Sequence, residues 1–479
     1  MPLARIPLVG GYTKQSPLLL NSGETYNMYQ TVDTAEKYMR SMAGLSDTPI
    51  LQFSGKNNIR GLHITDDRKL FVVASNSIYQ VDEQFNASII GNIGTSVGYV
   101  GIESNDHEVL FVDGSKGWRF DFVQSVFEEI AADGFPLPPV DIAQIDGFFL
   151  VARGDTSEWY KSRYRDGSSW NALDVALIES KSTKIQAIRT LNQSVYIFGQ
   201  DAIEPWDIVP SNVFPFSRNN GALIENGSIA RKCIVTGSGI LVWLAFTKNG
   251  FQSIMATDGG RPKKISTTII EQQLQLYSDL DQSEGYIYHF DGHLFFEFSV
   301  PSENVTWTYD FNIDQWYRRC ANDFSRFVGA SHIFYSNKHL IGLYNEAKIY
   351  EMSANYHQYI DKPIRRIRTS EIFKDEFGRS INIKKLVINI LPGQGNVTFP
   401  ENTPRLILFI SKDGGYTFDN GKDIKLPPIG NTGVRVVLDT LGLAGGDDGF
   451  GWVFKFEFFG EMPFILGDMY ADILVSNKL

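Results

Sequence analysis

Cysteine is almost absent from this sequence. Only Cys233 and Cys320 occur among 479 residues. Two thiols are too few for a disulfide framework or a cysteine-rich zinc site. The expectation is therefore a protein of a reducing compartment.

Long apolar segments are also missing. The run at residues 240–246 is far short of the roughly 18 residues that a membrane helix needs. The first eleven residues contain two prolines and no sustained apolar region, so they do not read as a secretory signal. Neither a Walker A sequence nor a Gly-x-Gly-x-x-Gly motif after a strand is present, which argues against nucleotide chemistry.

Positive charge is in short supply. Lys and Arg number 44 against 55 Asp and Glu, giving a formal net charge of −11. Binding to nucleic acid or to an anionic membrane needs a basic surface, so this balance disfavours both functions. It suits a surface past which DNA slides.

Strand-length runs rich in aromatic and β-branched residues fill most of the chain. Turn pairs bound them, such as Asp146-Gly147, Asn249-Gly250 and Asp291-Gly292, which accept the positive φ of two-residue hairpin turns. Helical periodicity is scarce, and its best candidate is residues 269–280. The sequence therefore predicts an all-β protein.

A weak repeat of strand, turn, apolar strand and aromatic strand recurs between residues 59 and 352. Its seven units average about 42 residues, inside the range of a β-propeller blade. The units are residues 59–93, 96–130, 140–173, 185–216, 229–265, 286–319 and 327–352. Six or seven blades are expected, because the third and fourth units are interrupted by loop-like segments.

The composition changes near residue 358. Residues 361–385 carry a local charge of +4, and short strands separated by turn residues follow, which is typical of a small β-sandwich. The predicted organisation is an N-terminal segment, residues 1–57, that packs on another domain. A β-propeller-like domain, residues 58–357, and a C-terminal β-rich platform or docking domain, residues 358–479, follow it.

Catalytic and metal-binding patterns are weak. His289 and His293 flank a turn, so solvated strand ends are a simpler interpretation than a metal site. The Gly-Gly-Asp-Asp-Gly sequence at residues 445–449 could offer oxygen ligands to a cation, but a hairpin tip is the simpler interpretation. No catalytic, cofactor or metal residue is predicted, and we expect no enzyme activity.

One motif is more specific. Ser411, Asp413, Gly415 and Thr417 fit an Asp-box, in which the Asp side chain braces a hairpin turn and a following aromatic packs beneath it. A glycan-hydrolysing role would require several copies and a catalytic cluster. The single copy predicts a structural turn.

The basic stretch containing Arg365, Arg366 and Arg368 has two interpretations. Its guanidinium groups could contact phosphates. Alternatively, residues 365–369 begin a strand whose charges face an acidic neighbour, the interpretation we favour. All three arginines are candidates for contacts with another subunit or an adaptor protein rather than with DNA.

Several short segments occur together in a recognisable order. They are Met1-Pro2, Asn27-Met28, residues 38–45 (Tyr-Met-Arg-Ser-Met-Ala-Gly-Leu), Phe198-Gly199, residues 203–206 (Ile-Glu-Pro-Trp), Asn220-Gly221, Tyr309-Asp310, Gln315-Trp316 and the Asp-box. In this order the chain resembles the tail-nozzle proteins of short-tailed phages of the Salmonella podovirus type, also called tail-hub or packaged-DNA stabilisation proteins. Ala43 stands where that family has a proline.

The resemblance implies a structural virion protein with no cofactor. Such a protein forms a ring, implied to be a hexamer, below the portal adaptor, prolongs the DNA channel and helps to retain packaged DNA. It docks tailspikes or fibres and a needle or plug, while DNA passes through the lumen without sequence-specific binding. The implied location is the virion tail, assembled in the host cytoplasm without membrane insertion.

Two other functions stay open at this point. A sialidase-like glycan-binding or glycan-hydrolysing propeller would explain the Asp-box and the aromatic residues. A cellular propeller scaffold would explain the repeats alone.

Overall fold

The computed structural model describes residues 3–14, 23–31, 37–181, 183–211, 213–246, 250–391, 405–426, 435–445 and 451–476. The regular secondary structure of this part of the chain is almost entirely β-strand, with one α-helix, α1 (Thr268–Leu276), and three single-turn 3-10 helices. No helix in these ranges is long and apolar enough to cross a membrane. Helix α1 is capped by the Thr267 side chain and ends at Leu276, because Tyr277 is extended, so it is shorter than predicted.

Six short strands come from the N-terminal segment. They are β1 (Ala4–Ile6), β2 (Thr25–Tyr26), β3 (Met28–Gln30), β4 (Met39–Ser41), β5 (Gly44–Leu45) and β6 (Leu51–Gln52). None of them forms a sheet with its N-terminal neighbours alone, since each sheet that they join includes strands from the propeller or the C-terminal region.

Seven antiparallel blades follow in the described residues, the upper of the two expected counts. Blades 1 to 3 are β7 (Ile59–Ile64), β8 (Leu70–Ala74), β9 (Ser77–Val81), β10 (Ala87–Asn92); β11 (Gly101–Ser104), β12 (Glu108–Val112), β13 (Gly117–Asp121), β14 (Val126–Glu129); and β15 (Pro139–Ile145), β16 (Phe148–Arg153), β17 (Glu158–Arg163), β18 (Asp166–Leu177). Blades 4 and 5 are β19 (Ile185–Leu191), β20 (Ser194–Gly199), β21 (Ile203–Ile208), β22 (Phe216–Arg218); and β23 (Val235–Gly237), β24 (Ile240–Phe246), β25 (Gln252–Thr257), β26 (Lys263–Lys264). Blades 6 and 7 are β27 (Glu284–Phe290), β28 (His293–Val300), β29 (Val305–Asp310), β30 (Gln315–Arg319); and β31 (Gly329–Tyr335), β32 (Lys338–Leu343), β33 (Lys348–Ser353).

The second strand of several blades is buried on both faces, as in β8, β12 and β28. Neighbouring blades cover it on each side, which is why its sequence is a continuous apolar run rather than an alternation. The turns bounding these strands contain the expected pairs: Asp146-Gly147 and Asp291-Gly292 all have positive φ. Asn249 lies outside the described residues. The prediction of an all-β propeller is confirmed.

Blade 7 is closed by the N-terminal segment. Strands β5 and β6 both pair antiparallel with β33, so residues near the start of the chain complete the last blade. This arrangement ties the two ends of the propeller together.

The C-terminal region contains β34 (Gln358–Tyr359), β35 (Lys362–Pro363), β36 (Arg365–Thr369), β37 (Ile381–Leu391), β38 (Arg405–Ser411), β39 (Lys422–Lys425), β40 (Arg435–Ala444), β41 (Val453–Phe459) and β42 (Ile465–Val475). One of its sheets has the order β3-β4-β42-β37-β40, with β1 also on β42. The other continues blade 6 in the order β27-β28-β29-β30-β2-β36-β41-β38-β39. Side chains of the two sheets share one apolar core. The nine-stranded sheet also joins the predicted propeller to the predicted platform.

A buried ion pair lies where these parts meet. Arg319 and Glu297 are fully enclosed, with Nη1 of Arg319 2.6 Å from Oε1 of Glu297. The other guanidinium nitrogen, Nη2, donates to the carbonyl of Ala43 at 2.9 Å, and Nε donates to the Tyr359 hydroxyl at 3.3 Å. The pair therefore connects blade 6 with the N-terminal segment and with the C-terminal region.

We predict that Arg319→Met lowers the free energy of unfolding by about 3 to 5 kcal/mol, because it leaves the Glu297 carboxylate buried without its partner. Urea denaturation followed by circular dichroism measures the loss. The control is Lys184→Met, which removes an exposed ion pair with Asp155 and should leave the midpoint unchanged. Equal midpoints for the Arg319 variant and the wild type would contradict this prediction.

Candidate functional site

Strand β36 presents the three arginines singled out from the sequence, and they differ in depth. Arg365 keeps 22% of its side chain exposed and pairs with Glu457, with 2.9 Å between Nη2 and Oε2. Its guanidinium carbon lies 4.3 Å from the ring centre of Phe324 and 5.2 Å from that of Phe459. The strand and the acidic neighbour therefore match the favoured interpretation of the sequence.

Arg366 and Arg368 are buried inside the protomer. Arg366 donates from Nη1 to the Gly460 carbonyl at 2.8 Å. Its Nε and Nη2 have no hydrogen-bond partner among the described residues. Burial lowers its pKa to about 10. A side chain without exposed surface is not available to another subunit, so the prediction of subunit or adaptor contacts is wrong for both Arg366 and Arg368.

Arg368 has a different task from the one predicted. It donates to the carbonyls of Leu8 and Gly11 and to the Thr25 hydroxyl, the last at 2.7 Å. All three acceptors belong to the N-terminal segment. The arginine thus fixes that segment against β36. Its positive charge is stabilised by hydrogen bonds to these neutral oxygen atoms.

Exposed positive charge in this region comes from lysines instead. Lys362, Lys374 and Lys384 are exposed, and none forms an ion pair with a described residue. Lys385 is different, because its cross-strand neighbours are Asp439 and Asp472. Lys362, Lys374 and Lys384, here called the lysine set, and the exposed part of Arg365 are the groups that could attract an acidic partner.

The Asp-box forms a closed turn after β38. Asp413 Oδ1 accepts from the Thr417 amide at 2.9 Å, and Oδ2 accepts from the Thr417 hydroxyl at 2.5 Å. The Ser411 hydroxyl donates to Asp413 at 2.7 Å and accepts from the Gly415 amide at 2.8 Å. Although partial burial raises the pKa of Asp413, the hydrogen bonds from Ser411 and Thr417 hold it below its ordinary value. These contacts are local and brace the turn.

The two candidate histidines also differ. His289 is exposed, but His293 is buried, with 2.5 Å between its Nδ1 and Oδ2 of Asp310. The interpretation of both as solvated strand ends is therefore wrong for His293, which begins the fully covered strand β28. Asp447 and Asp448 of the Gly-Gly-Asp-Asp-Gly sequence lie outside the described residues.

Sequence reasoning missed the groups that join the segments. Asn27 has φ of 56° and is buried, and its amide nitrogen donates to the carbonyls of Cys320 and Arg365. Its side-chain oxygen accepts from the Cys320 amide at 3.0 Å. The resemblance included Asn27, but nothing local to it indicated partners about 300 residues away.

Fold and contacts together define a seven-bladed β-propeller whose last blade is completed by strands of the N-terminal segment. The model of the family described as "Bacteriophage P22 Gp10, beta-propeller" matches residues 4–357. The chain belongs to this family and is a structural phage tail protein. No curated protein matches the chain significantly.

Solved structures show weaker similarity. The WD40 β-propeller domain of Doa1 has a TM-score of 0.41 and 10% identity over 65% of this chain and 97% of that chain. The CNH domain of AfRom2 has a TM-score of 0.38 and 8% identity over 64% of this chain and 97% of that one. The dihydro-heme d1 dehydrogenase NirN has a TM-score of 0.40 and 12% identity over 76% of this chain and 73% of that one. Similarities of this size support no inference about function.

For the Asp-box we predict that Asp413→Ala lowers the free energy of unfolding by about 1 kcal/mol, because the Thr417 amide loses its acceptor. Thermal and urea unfolding measure the change. Asp413→Asn is the matched control, since it retains one acceptor oxygen and should lose less. An unchanged stability of the Ala variant would show that the turn does not depend on Asp413.

Proposed function

We propose that this protein is the tail-nozzle component of a short-tailed phage. Copies of it form a ring, a hexamer by resemblance, below the portal adaptor, and the ring extends the DNA channel and helps to retain packaged DNA. The observation that carries the proposal is the family match over residues 4–357. The narrower assignment to the Salmonella podovirus type stays a prediction.

Rigidity supports this role. The nine-stranded sheet runs from blade 6 through β2 into the C-terminal region, and β5 and β6 close blade 7. A component that transmits load between a head and a tail benefits from parts that cannot rotate against each other. Shared strands and the buried Arg319–Glu297 pair provide that restraint.

The acidic balance supports passage of DNA rather than its binding. Lys and Arg contacts to phosphate would make DNA adhere in a salt-dependent way and slow its ejection. The net charge of −11 disfavours such contacts over most of the surface. We therefore assign the exposed positive groups, the lysine set and Arg365, to contacts with a neighbouring subunit or with the adaptor.

The remaining parts of the proposal come from the resemblance. Tailspikes or fibres would dock on the flank of the ring, and a needle or plug would close its lumen. We propose assembly in the host cytoplasm and no catalytic role. Copies related by rotation would bury two different surfaces that close on themselves.

We predict that changing Lys362, Lys374 and Lys384 together to Glu prevents docking on adaptor-bearing heads, because attraction to an acidic partner becomes repulsion. Heads should package DNA and then lose it. Electron microscopy of particles mixed with purified protein counts docked rings, and circular dichroism verifies folding.

The matched control changes Lys116, Lys184 and Lys263 to Glu. These lysines are exposed on the propeller, and the change in net charge is the same. The control should dock as the wild type does. Docking by the first variant would refute the assignment of the lysine set, whereas failure of the wild type to form a ring on adaptor-bearing heads would refute the nozzle proposal itself.

A further inference from the structure

Arginine and aromatic side chains lie together on the outer face of the nine-stranded sheet. Residues paired across neighbouring strands share a face, and Phe459 of β41 is paired with Arg365 of β36 on one side and with Arg405 of β38 on the other. Phe324, which follows β30, packs over the Arg365 guanidinium and edge-on against Tyr26. Alternate residues of β41 and β38 point into the shared core, so this set faces solvent.

These four residues, Phe324, Arg365, Arg405 and Phe459, are here called the arginine–aromatic face. The two rings are 41% and 37% exposed. Arg405 keeps 69% of its side chain exposed, and its ion pair with Asp423, at 3.3 Å between Nη1 and Oδ2, is a surface pair of little stabilising value. Aromatic and arginine side chains are enriched at protein–protein interfaces. The composition therefore fits a protein partner that supplies carboxylates and apolar side chains.

Blade 2 carries more than half of the net negative charge of the chain. Residues 94–135 contain eight Asp or Glu and two Lys or Arg, a local charge of −6 out of −11. One guanidinium, that of Arg119, faces three carboxylates, those of Glu108, Asp121 and Glu128. Glu128 lies 3.0 Å from Arg119 and is 49% exposed, whereas the other two carboxylates are nearly covered. Glu128 is therefore the carboxylate placed to pair with a cation from another molecule.

The outer edge of blade 2 also exposes apolar side chains. Strand β14 is the last strand of its sheet, so no described strand of the blade lies beyond it. Val123, in the turn before β14, is 82% exposed, and Val126 on the strand is 42% exposed. Glu129 ends the strand and pairs with the equally exposed Lys116. Val123, Val126, Glu128 and Glu129 are here called the blade 2 rim, and they combine apolar surface with carboxylates.

The two surfaces lie on nearly opposite sides of the protomer. Inner strands of consecutive blades contact each other, and β31 of blade 7 contacts β7 of blade 1, so the blades follow the chain order around a closed circle. Blade 2 is three blades from blade 6 in one direction and four in the other. The arginine–aromatic face lies beyond the outer strand of blade 6, because β36, β41 and β38 continue that sheet outward. A protomer therefore cannot place its own blade 2 rim on its own arginine–aromatic face.

We propose that the blade 2 rim of one copy of this chain docks on the arginine–aromatic face of the next copy. The carboxylates of the rim pair with the two guanidinium groups, and its valines pack against the phenylalanine rings. This inference rests on the ring proposed above and names the two surfaces that join its copies. Two different patches on opposite sides of a protomer make a heterologous contact, which closes into a ring when the rotation between copies divides a full turn.

A second copy fits the arginine–aromatic face better than DNA does. Glu457 lies between Arg365 and Lys455, and Asp423 lies beside Arg405, so carboxylates interrupt the positive charge. Closely spaced phosphates favour a surface on which positive charge predominates. Separate carboxylates of a protein can instead meet individual guanidinium groups. The blade 2 rim offers two such carboxylates on one short strand.

The test is charge reversal followed by mixing. The face variant is Arg365→Gln with Arg405→Glu, and the rim variant is Glu128→Arg with Glu129→Arg. Each variant alone places like charges across every contact, so the number of rings on adaptor-bearing heads, counted by electron microscopy, should fall at least roughly tenfold. In an equimolar mixture, copies that alternate around an even-numbered ring have complementary charges at every contact. Mixing should therefore restore the wild-type count.

The matched control is Asp201→Arg with Glu225→Arg. These exposed carboxylates lie on blade 4 and give the same change in charge as the rim variant, so the control should form rings as the wild type does. Circular dichroism verifies that each variant folds. Undiminished rings from either folded variant, or no recovery on mixing, would overturn the proposed contact. Failure of the wild type to form rings would instead refute the nozzle proposal.

A second measurement does not depend on charge reversal. The two native cysteines, Cys233 and Cys320, are buried, so cysteines introduced by Val123→Cys and Arg405→Cys are the accessible thiols. A bis-maleimide cross-linker added to rings of the double variant should give a ladder of covalent multimers, and neither single variant should give one. Rings without a ladder would overturn the contact. Loss of duplex binding in the face variant, with its rings intact, would assign the face to DNA and overturn the proposal as well.

Discussion

The buried pair of Arg319 and Glu297 is the contact on which the arrangement of the parts depends. Enclosing two charges costs several kcal/mol per ion unless their remaining hydrogen-bonding groups are satisfied. Tyr288 and Thr308 donate to Glu297, while Ala43, 276 residues before Arg319, accepts from the guanidinium. The charges are compensated only when blade 6, the N-terminal segment and Tyr359 are all in place. The pair therefore couples closure of the propeller to attachment of the C-terminal region.

The propeller could be predicted because its determinants are local. Each blade is a meander of neighbouring strands, so apolar runs and turn pairs recur at a fixed spacing that the sequence displays. Closure of blade 7 has no such signal. Strands β5 and β6 contain two residues each, and they pair with a strand about 300 residues later. The continuation of blade 6 through β2 is equally short, which is why the sequence suggested separate domains where the structure has a shared sheet.

The sequence distance between a candidate residue and its partners explains which roles could be predicted. The contacts of Asp413 lie within seven residues, so the motif contained the whole turn. The arginines of β36 depend on what covers the strand: β2 lies on one side and β41 on the other, and both strands are distant in sequence. A count of charges indicated a basic surface, but two of the three guanidinium groups satisfy buried carbonyls instead.

The narrow centre of the propeller, where the inner strands of its blades meet, constrains how the protein can act on DNA. Inner strands of neighbouring blades approach each other closely at glycines. A Cβ at Gly61 would lie 2.7 Å from Ile102 Cδ1, and one at Gly237 would lie 3.1 Å from Ile287 Cβ. The axial cavity has a volume of about 400 Å³, the size of a small-molecule site, whereas one turn of duplex, about 34 Å long with grooves about 8.5 Å deep, fills a far larger volume. A propeller of this kind cannot itself be the conduit. If the protein is the nozzle proposed above, its DNA channel would therefore form between copies of the chain and not through the propeller.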